Sequence, residues 1–194
     1  MEKQIDPRIL RTRKLIMNAF IELSMKKEFK NITIKDITTA ATVNRATFYS
    51  HFIDKYDLLE KVLSESVMRE VIQEVSTHEV INEGTIEAIF LSIIKFQKSI
   101  SNQCRRSYET FTPQIETIFK KEHQDFFSEW AQKQWPNQNK TEVEAFAVML
   151  SWALYGAAMH WMKNQTTQPE EYVKQLMDFI KNRINIDKEN VNLI

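Results

Sequence analysis

Apolar positions recur at three- and four-residue spacing along almost the whole chain, and the interruptions are short and polar. That is the helical period, so the pattern predicts a series of amphipathic helices and no sheet. Asp6 caps a first helix with Pro7 at its opening position. It runs to about Lys27, and Ile16, Ala19, Phe20 and Leu23 form its buried stripe. Phe29, Asn31 and Ile32 then lead to Thr33, a cap with Asp36 three residues on, in capping-box spacing. The second helix places Ile34, Ile37, Ala40 and Ala41 on one face and ends near Ala41. Asn44 opens a third, very short helix in which Phe48 and Phe52 point inward. A helix that short is marginal alone, so its neighbours must hold it.

Asp54 caps a fourth helix. Its apolar pattern passes through Leu58, Leu59, Val62, Leu63, Val67, Met68, Val71, Ile72 and Val75 to about Ser76, roughly 33 Å at 1.5 Å per residue. Residues 77–84 read as the one evident boundary. Thr85 is expected to cap the next helix, with Ile86, Ile89, Phe90, Ile93, Ile94 and Phe96 on it. A turn near Ser101 and Asn102 precedes a short helix with Cys104 and Tyr108. Thr112-Pro113 is expected to open another, ending at Trp135-Pro136. Thr141 with Glu144 reads as a capping box for a helix reaching Asn164, and Pro169, Glu170 and Glu171 open a final one carrying Tyr172, Val173, Leu176, Met177, Phe179 and Ile180. The span from Ala145 to Met162 holds no formal charge and approaches transmembrane length. Ser151, Tyr155, Gly156 and His160 interrupt it, so it is expected to be buried on several sides within protein.

Composition agrees with this helical reading. The 194 residues include 2 Gly and 4 Pro, with 43% hydrophobic and 27% charged residues, which suits long helices and short loops. The zero formal net charge conceals an asymmetry: residues 1–60 hold 11 Lys and Arg against 8 Asp and Glu, leaving 15 against 18 for the rest. Cys104 is the sole cysteine, so no disulfide can form within the chain. It is expected as a small buried hydrophobe, and with no apolar segment in MEKQIDPRIL a cytoplasmic location is expected.

Two short helices around a tight turn, the second offering polar groups outward, form a helix-turn-helix. Thr33, Ile34, Asp36, Ile37, Ala41, Val43, Asn44, Arg45, Thr47, Phe48, Tyr49, His51, Phe52, Lys55, Leu58 and Leu59 together resemble the DNA-binding signature of the TetR/AcrR transcriptional regulators. The family usually has Gly where this chain has Thr42. A β-branched residue is strained there if the turn needs positive φ.

The resemblance implies an all-α fold: an N-terminal three-helix helix-turn-helix DNA-binding domain over residues 1–53, then a C-terminal helical-bundle effector and dimerisation domain over 54–194, with the fourth helix bridging both. It further implies that Arg45 and Thr47 face base edges, while Thr33, Tyr49, His51 and Lys55 hold phosphates and Asn44 joins the interface. Arg8, Arg11, Arg13 and Lys14 read either as backbone contacts or as a solvated basic turn. The expected partners are a palindromic double-stranded operator, a small-molecule effector and a second copy of the chain. The copy pairs through helices near 141–164 and 169–184. No membrane partner is expected.

Phe90, Phe111, Phe119, Phe126, Trp130, Met149, Trp152 and Tyr155 are the candidate lining of an apolar effector cavity, with packed core as the competing reading for each. Enzymatic chemistry has little support. His51, His78, His123 and His160 are scattered, no metal-ligand spacing occurs, and so few glycines leave no phosphate loop, so no cofactor or metal is expected. The leading function is a ligand-released repressor. A regulator or activator governed by a protein partner, and a DNA-organising protein of broad specificity, are the alternatives.

Overall fold

The structure, a computed structural model, describes residues 6–75, 80–165 and 167–183, with the side chains of 67, 68, 70–75, 182 and 183 excepted. The described residues are helical with no strand: α1 (Pro7–Lys26), a 3-10 turn (Phe29–Asn31), α2 (Ile34–Ala40), α3 (Arg45–Tyr49), α4 (Lys55–Val75), α5 (Glu83–Gln103), α6 (Tyr108–Gln134), α7 (Lys140–Asn164) and α8 (Pro169–Arg183). The apolar stripe expected to carry α4 onward through Val67, Met68, Val71, Ile72 and Val75 falls on side chains outside the described residues.

Local signals set most helix starts. Asp6 accepts from the Arg8 N–H at 2.8 Å with Pro7 opening α1. Thr33 and Asp36 form the reciprocal box at the head of α2, and Asn44 Oδ1 accepts from the Thr47 N–H at 2.7 Å to start α3. Asp54 takes the N–H groups of Tyr56 and Asp57, both at 2.8 Å, while Asp57 takes that of Ile53 at 2.9 Å. Such pairs satisfy donors that a helix start otherwise leaves open.

Three starts differ from expectation. At α5 the cap is Asn82, which accepts from the Thr85 N–H at 3.0 Å; the Thr85 hydroxyl instead donates to the Val80 carbonyl at 2.7 Å. At α7 the cap is Asn139, accepting from the Thr141 N–H, and Glu144 pairs with Lys140 rather than closing a box with Thr141. The short helix around Tyr108 and the one expected from Thr112-Pro113 are a single α6, which absorbs Pro113 in its second turn. Proline has no N–H for the carbonyl four residues back, so α6 continues past Pro113 one intrahelical hydrogen bond short.

The chain divides into two compact units, one from Met1–Arg69 with Phe96–Glu122 and one from Glu70–Lys95 with His123–Ile194. This differs from a division at 53/54. The first unit buries Ile16, Phe20, Phe29, Ile37, Phe48, Phe52 and Leu58 of the N-terminal helices together with Phe96, Phe111, Ile115 and Phe119. Cys104 is buried here, and burial pushes its thiol pKa up, as suits a packed, unreactive side chain.

The second unit packs Ile89, Phe90, Ile93, Phe127, Ala131, Leu154, Tyr155, Ala158 and Val173. Here α7 departs from the expected burial on several sides. Val143, Ala147, Ser151, Leu154, Tyr155, Ala158 and Trp161 are buried, but Ala145, Met149, Trp152, Ala153, Gly156 and His160 form an exposed stripe at helical spacing. By length and composition α7 could cross a membrane, with 33% of its most apolar window buried. Phe179 and Ile180 of α8 are exposed as well.

Candidate nucleic-acid interface

Helix α3 is five residues long, and its placement comes from below. Phe48 is fully buried and Phe52 nearly so, their ring centroids 5.8 Å apart. With those two positions inward, Arg45 and Tyr49 are exposed and Thr47 and His51 partly so, the two pairs flanking the buried Phe48–Phe52 edge on either side. The Arg45 guanidinium lies 5.6 Å from the Tyr49 ring centre and donates to its hydroxyl at 3.2 Å. The flat, always-charged fork is thereby held before any partner arrives.

The turn ahead of α3 carries Thr42 at φ 55°, in the left-handed region. A β-branched side chain is costly there, so the strain anticipated for threonine in place of glycine is present. The chain closes the turn regardless, with the Val43 N–H donating to the Thr38 carbonyl at 3.0 Å.

The other sequence-predicted contacts have inward duties. The Thr33 hydroxyl donates to Asp36 Oδ2 at 2.8 Å and accepts from the Asp36 N–H at 3.1 Å. Thr33 backbone and hydroxyl hydrogen bonds hold the Asp36 carboxyl below its ordinary pKa, helped by Lys27. Asn44 Oδ1 is the α3 cap and leaves only its amide free to reach outward. Lys55, expected to hold a phosphate, is engaged within the protein. Its Nζ donates to the carbonyls of Phe29 at 3.0 Å, Lys30 at 3.3 Å and Ile32 at 2.9 Å, and sits 4.6 Å from the Phe29 ring centre. An ammonium has three hydrogens, and here all three face the 3-10 turn.

On α1, Arg8, Arg11 and Lys14 are exposed. Arg13 is committed: it donates through Nε and Nη2 to Glu65 Oε1 at 3.3 and 3.1 Å and covers the Phe52 ring at 4.8 Å. No sequence pattern marked that bridge, because its ends are 52 residues apart. Phe29 was equally silent. It makes edge-on contacts with Phe20 at 6.0 Å, Tyr56 at 5.2 Å and Phe111 at 5.2 Å.

The eight candidate cavity residues are dispersed. Phe111 and Phe119 belong to the unit that holds α1–α3, where Phe111 borders a void of about 80 Å³ beside Phe20, Leu63 and Cys104. In the other unit Phe90 and Tyr155 are buried, and Phe126 meets the half-buried Trp130 at 4.9 Å. Met149 and Trp152, 64% and 55% exposed, stand on the outer stripe of α7 rather than in a cavity wall. Among the described residues no cluster of His, Cys, Asp and Glu could hold a metal.

Residues 16–62 match the family model described as bacterial regulatory proteins, tetR family. The chain is 34% identical over 102 residues to the HTH-type transcriptional regulator YxbF of Bacillus subtilis. That match covers 52% of this chain but only 27% of the relative, so the chain spans about a quarter of its length. Among solved structures, the fold is similar to the TetR family repressor AlkX from Dietzia at 18% identity, with 93% of this chain and 96% of that chain covered and a TM-score of 0.56. It is also similar to the fatty acid degradation regulator FadR from Bacillus halodurans at 16% identity, covering 92% and 96%, with a TM-score of 0.54.

Proposed function

We propose that the chain, whose residues 16–62 match the tetR family of bacterial regulatory proteins, is a homodimeric repressor of that family acting on a palindromic operator, released when a small apolar or aromatic ligand binds its C-terminal half. The observation that carries the DNA-reading part is the exposure of Arg45 and Tyr49, with Thr47 and His51 partly exposed, around a short helix braced by Phe48 and Phe52. Arg45 grips a guanine through two hydrogen bonds, Thr47 touches a thymine methyl, and Tyr49 and His51 hold phosphates. Thr33 and Asn44 border this surface while capping their helices.

Dimerisation follows from the apolar stripe of α7, with Met149, Trp152 and Gly156, and from Phe179 and Ile180 of α8. A second copy covers these groups in an isologous four-helix contact. No side chain crowds the space where a Gly156 Cβ would stand, leaving room for a helix to approach closely. Two recognition helices then address half-sites about 34 Å apart. Ligand binding releases DNA by favouring a shape in which α4 is tilted and the spacing lost, which requires different affinities for the two shapes.

The same exposed stripe favours a second reading, in which a different protein covers α7 and α8 and governs the regulator without a small ligand. Selection of bound fragments from genomic DNA by the purified chain tests the main proposal. Recovery of one palindromic motif, bound by a dimer, is expected. Enrichment of no motif removes the specific-regulator reading, and a strictly monomeric protein removes the homodimer.

A further inference from the structure

Ser107 stands directly before α6, where a serine hydroxyl ordinarily caps its own helix. Its hydrogen bonds go elsewhere. The Oγ accepts from the Phe29 N–H at 2.7 Å and donates toward the Lys27 carbonyl at 3.5 Å, 78 and 80 residues away. The neighbouring Arg106 donates from Nη1 to the Lys26 carbonyl at 3.2 Å, and one helical turn into α6 the Phe111 ring meets that of Phe29. The α5–α6 turn therefore grips the end of α1 and the 3-10 turn that follows.

From the other side, Lys55 takes the Phe29 carbonyl. The backbone N–H and carbonyl of Phe29 are thus both held by side chains, the carbonyl from the head of α4 and the N–H from the α5–α6 turn. Ser107 is 1% exposed and Phe29 3% exposed, so water offers the Phe29 N–H little replacement. The 3-10 turn leads straight into the Thr33 cap of α2, so its position sets where the helix-turn-helix begins.

The geometry points to Ser107 as a positioning residue for operator reading: through Phe29 it holds the helix-turn-helix in the orientation that the head of α4 alone would leave less defined. It touches no DNA in this role, and its effect falls on discrimination between sequences rather than on charge-driven attachment. The α5–α6 turn thereby becomes an input to the DNA-reading helices besides α4. This rests on the DNA-reading role proposed above.

The test uses the purified full-length chain, the fragment most enriched in genomic selection and an unrelated duplex of equal length, titrated over a range of salt. If the wild-type chain prefers no fragment, the DNA-reading proposal fails and this one with it. Given a wild-type preference, Ser107→Ala is expected to lower the ratio of operator to unrelated affinity at least fivefold with the salt slope unchanged, and Ser107→Thr, which keeps the hydroxyl, to restore it to within twofold. A folded Ser107→Ala protein with lower thermal stability but an unchanged ratio overturns the inference. Should Ser107→Ala not fold, Arg106→Ala decides, its side chain being exposed. A twofold or greater fall in the same ratio upholds the assignment, and an unchanged ratio overturns it.

Discussion

The Arg45 guanidinium donates to the Tyr49 hydroxyl at 3.2 Å across one turn of α3. Tyr49 in turn packs edge-on against the buried Phe48 at 5.5 Å, which ties the cation to the core. Arg45→Ala should therefore cost about 1 to 3 kcal/mol of operator binding and relax specificity at one base pair. Tyr49→Phe keeps the ring and loses the hydroxyl, so a smaller loss at that same base pair is expected. Affinities for operators substituted one position at a time check both.

Lys55→Met removes three hydrogen bonds to carbonyls around the 3-10 turn. The expected outcome is a stability loss of about 2 kcal/mol with an unchanged dependence of DNA affinity on salt. A phosphate contact would instead flatten that dependence by about one unit. Denaturant unfolding and binding titrations at several salt concentrations separate the two.

Thr42→Gly relieves the positive φ at the turn. A gain of about 1 kcal/mol is expected, seen as a rise in melting temperature of about 3 °C. Differential scanning calorimetry measures it, and a fall would mean that the Thr42 side chain has a role that outweighs its backbone strain.

The Asp36 carboxyl is depressed chiefly by hydrogen bonds from Thr33. A depressed folded pKa gives stability that is present above the unfolded value near 3.9 and lost as pH falls through the folded value. Wild type should thus exceed Asp36→Asn in stability at pH 7, with the gap narrowing as pH falls below about 4. Parallel unfolding curves at pH 7 and pH 3 check the sign.

Trp152→Glu places a charge in the exposed stripe of α7, where the isolated chain tolerates it because the residue is 55% exposed. The variant should keep its helical content and lose dimerisation, with operator affinity falling alongside. Sedimentation at matched concentrations tests this, and an unchanged dimer would move the pairing surface off α7.

The parts legible in the sequence were those written over short spans. The caps at Asp6, Thr33, Asn44 and Asp54 stand within three residues of what they bind, and the inward Phe48 and Phe52 are one helical turn apart. The start of α6 differs from expectation because Thr112-Pro113 reads as a helix opening, whereas Pro113 sits inside the helix, five residues past its start. The inward turn of Lys55 was hidden for a different reason: its carbonyl partners lie 23 to 26 residues away, and backbone acceptors carry no sequence mark. Ser107 met the same obstacle over 78 residues. On α7, hydrophobicity reported apolar groups correctly but could not distinguish burial within the chain from an uncovered stripe.

The ring of Phe29 rests on Phe111, and its N–H on Ser107. Anyone grafting the reading head of this chain onto another regulator, or truncating it near residue 53, would strip that cover and present water with a bare aromatic surface. A transplant that keeps its footing has to carry Phe96–Glu122 along, so the smallest portable module is stitched from two separate lengths of chain.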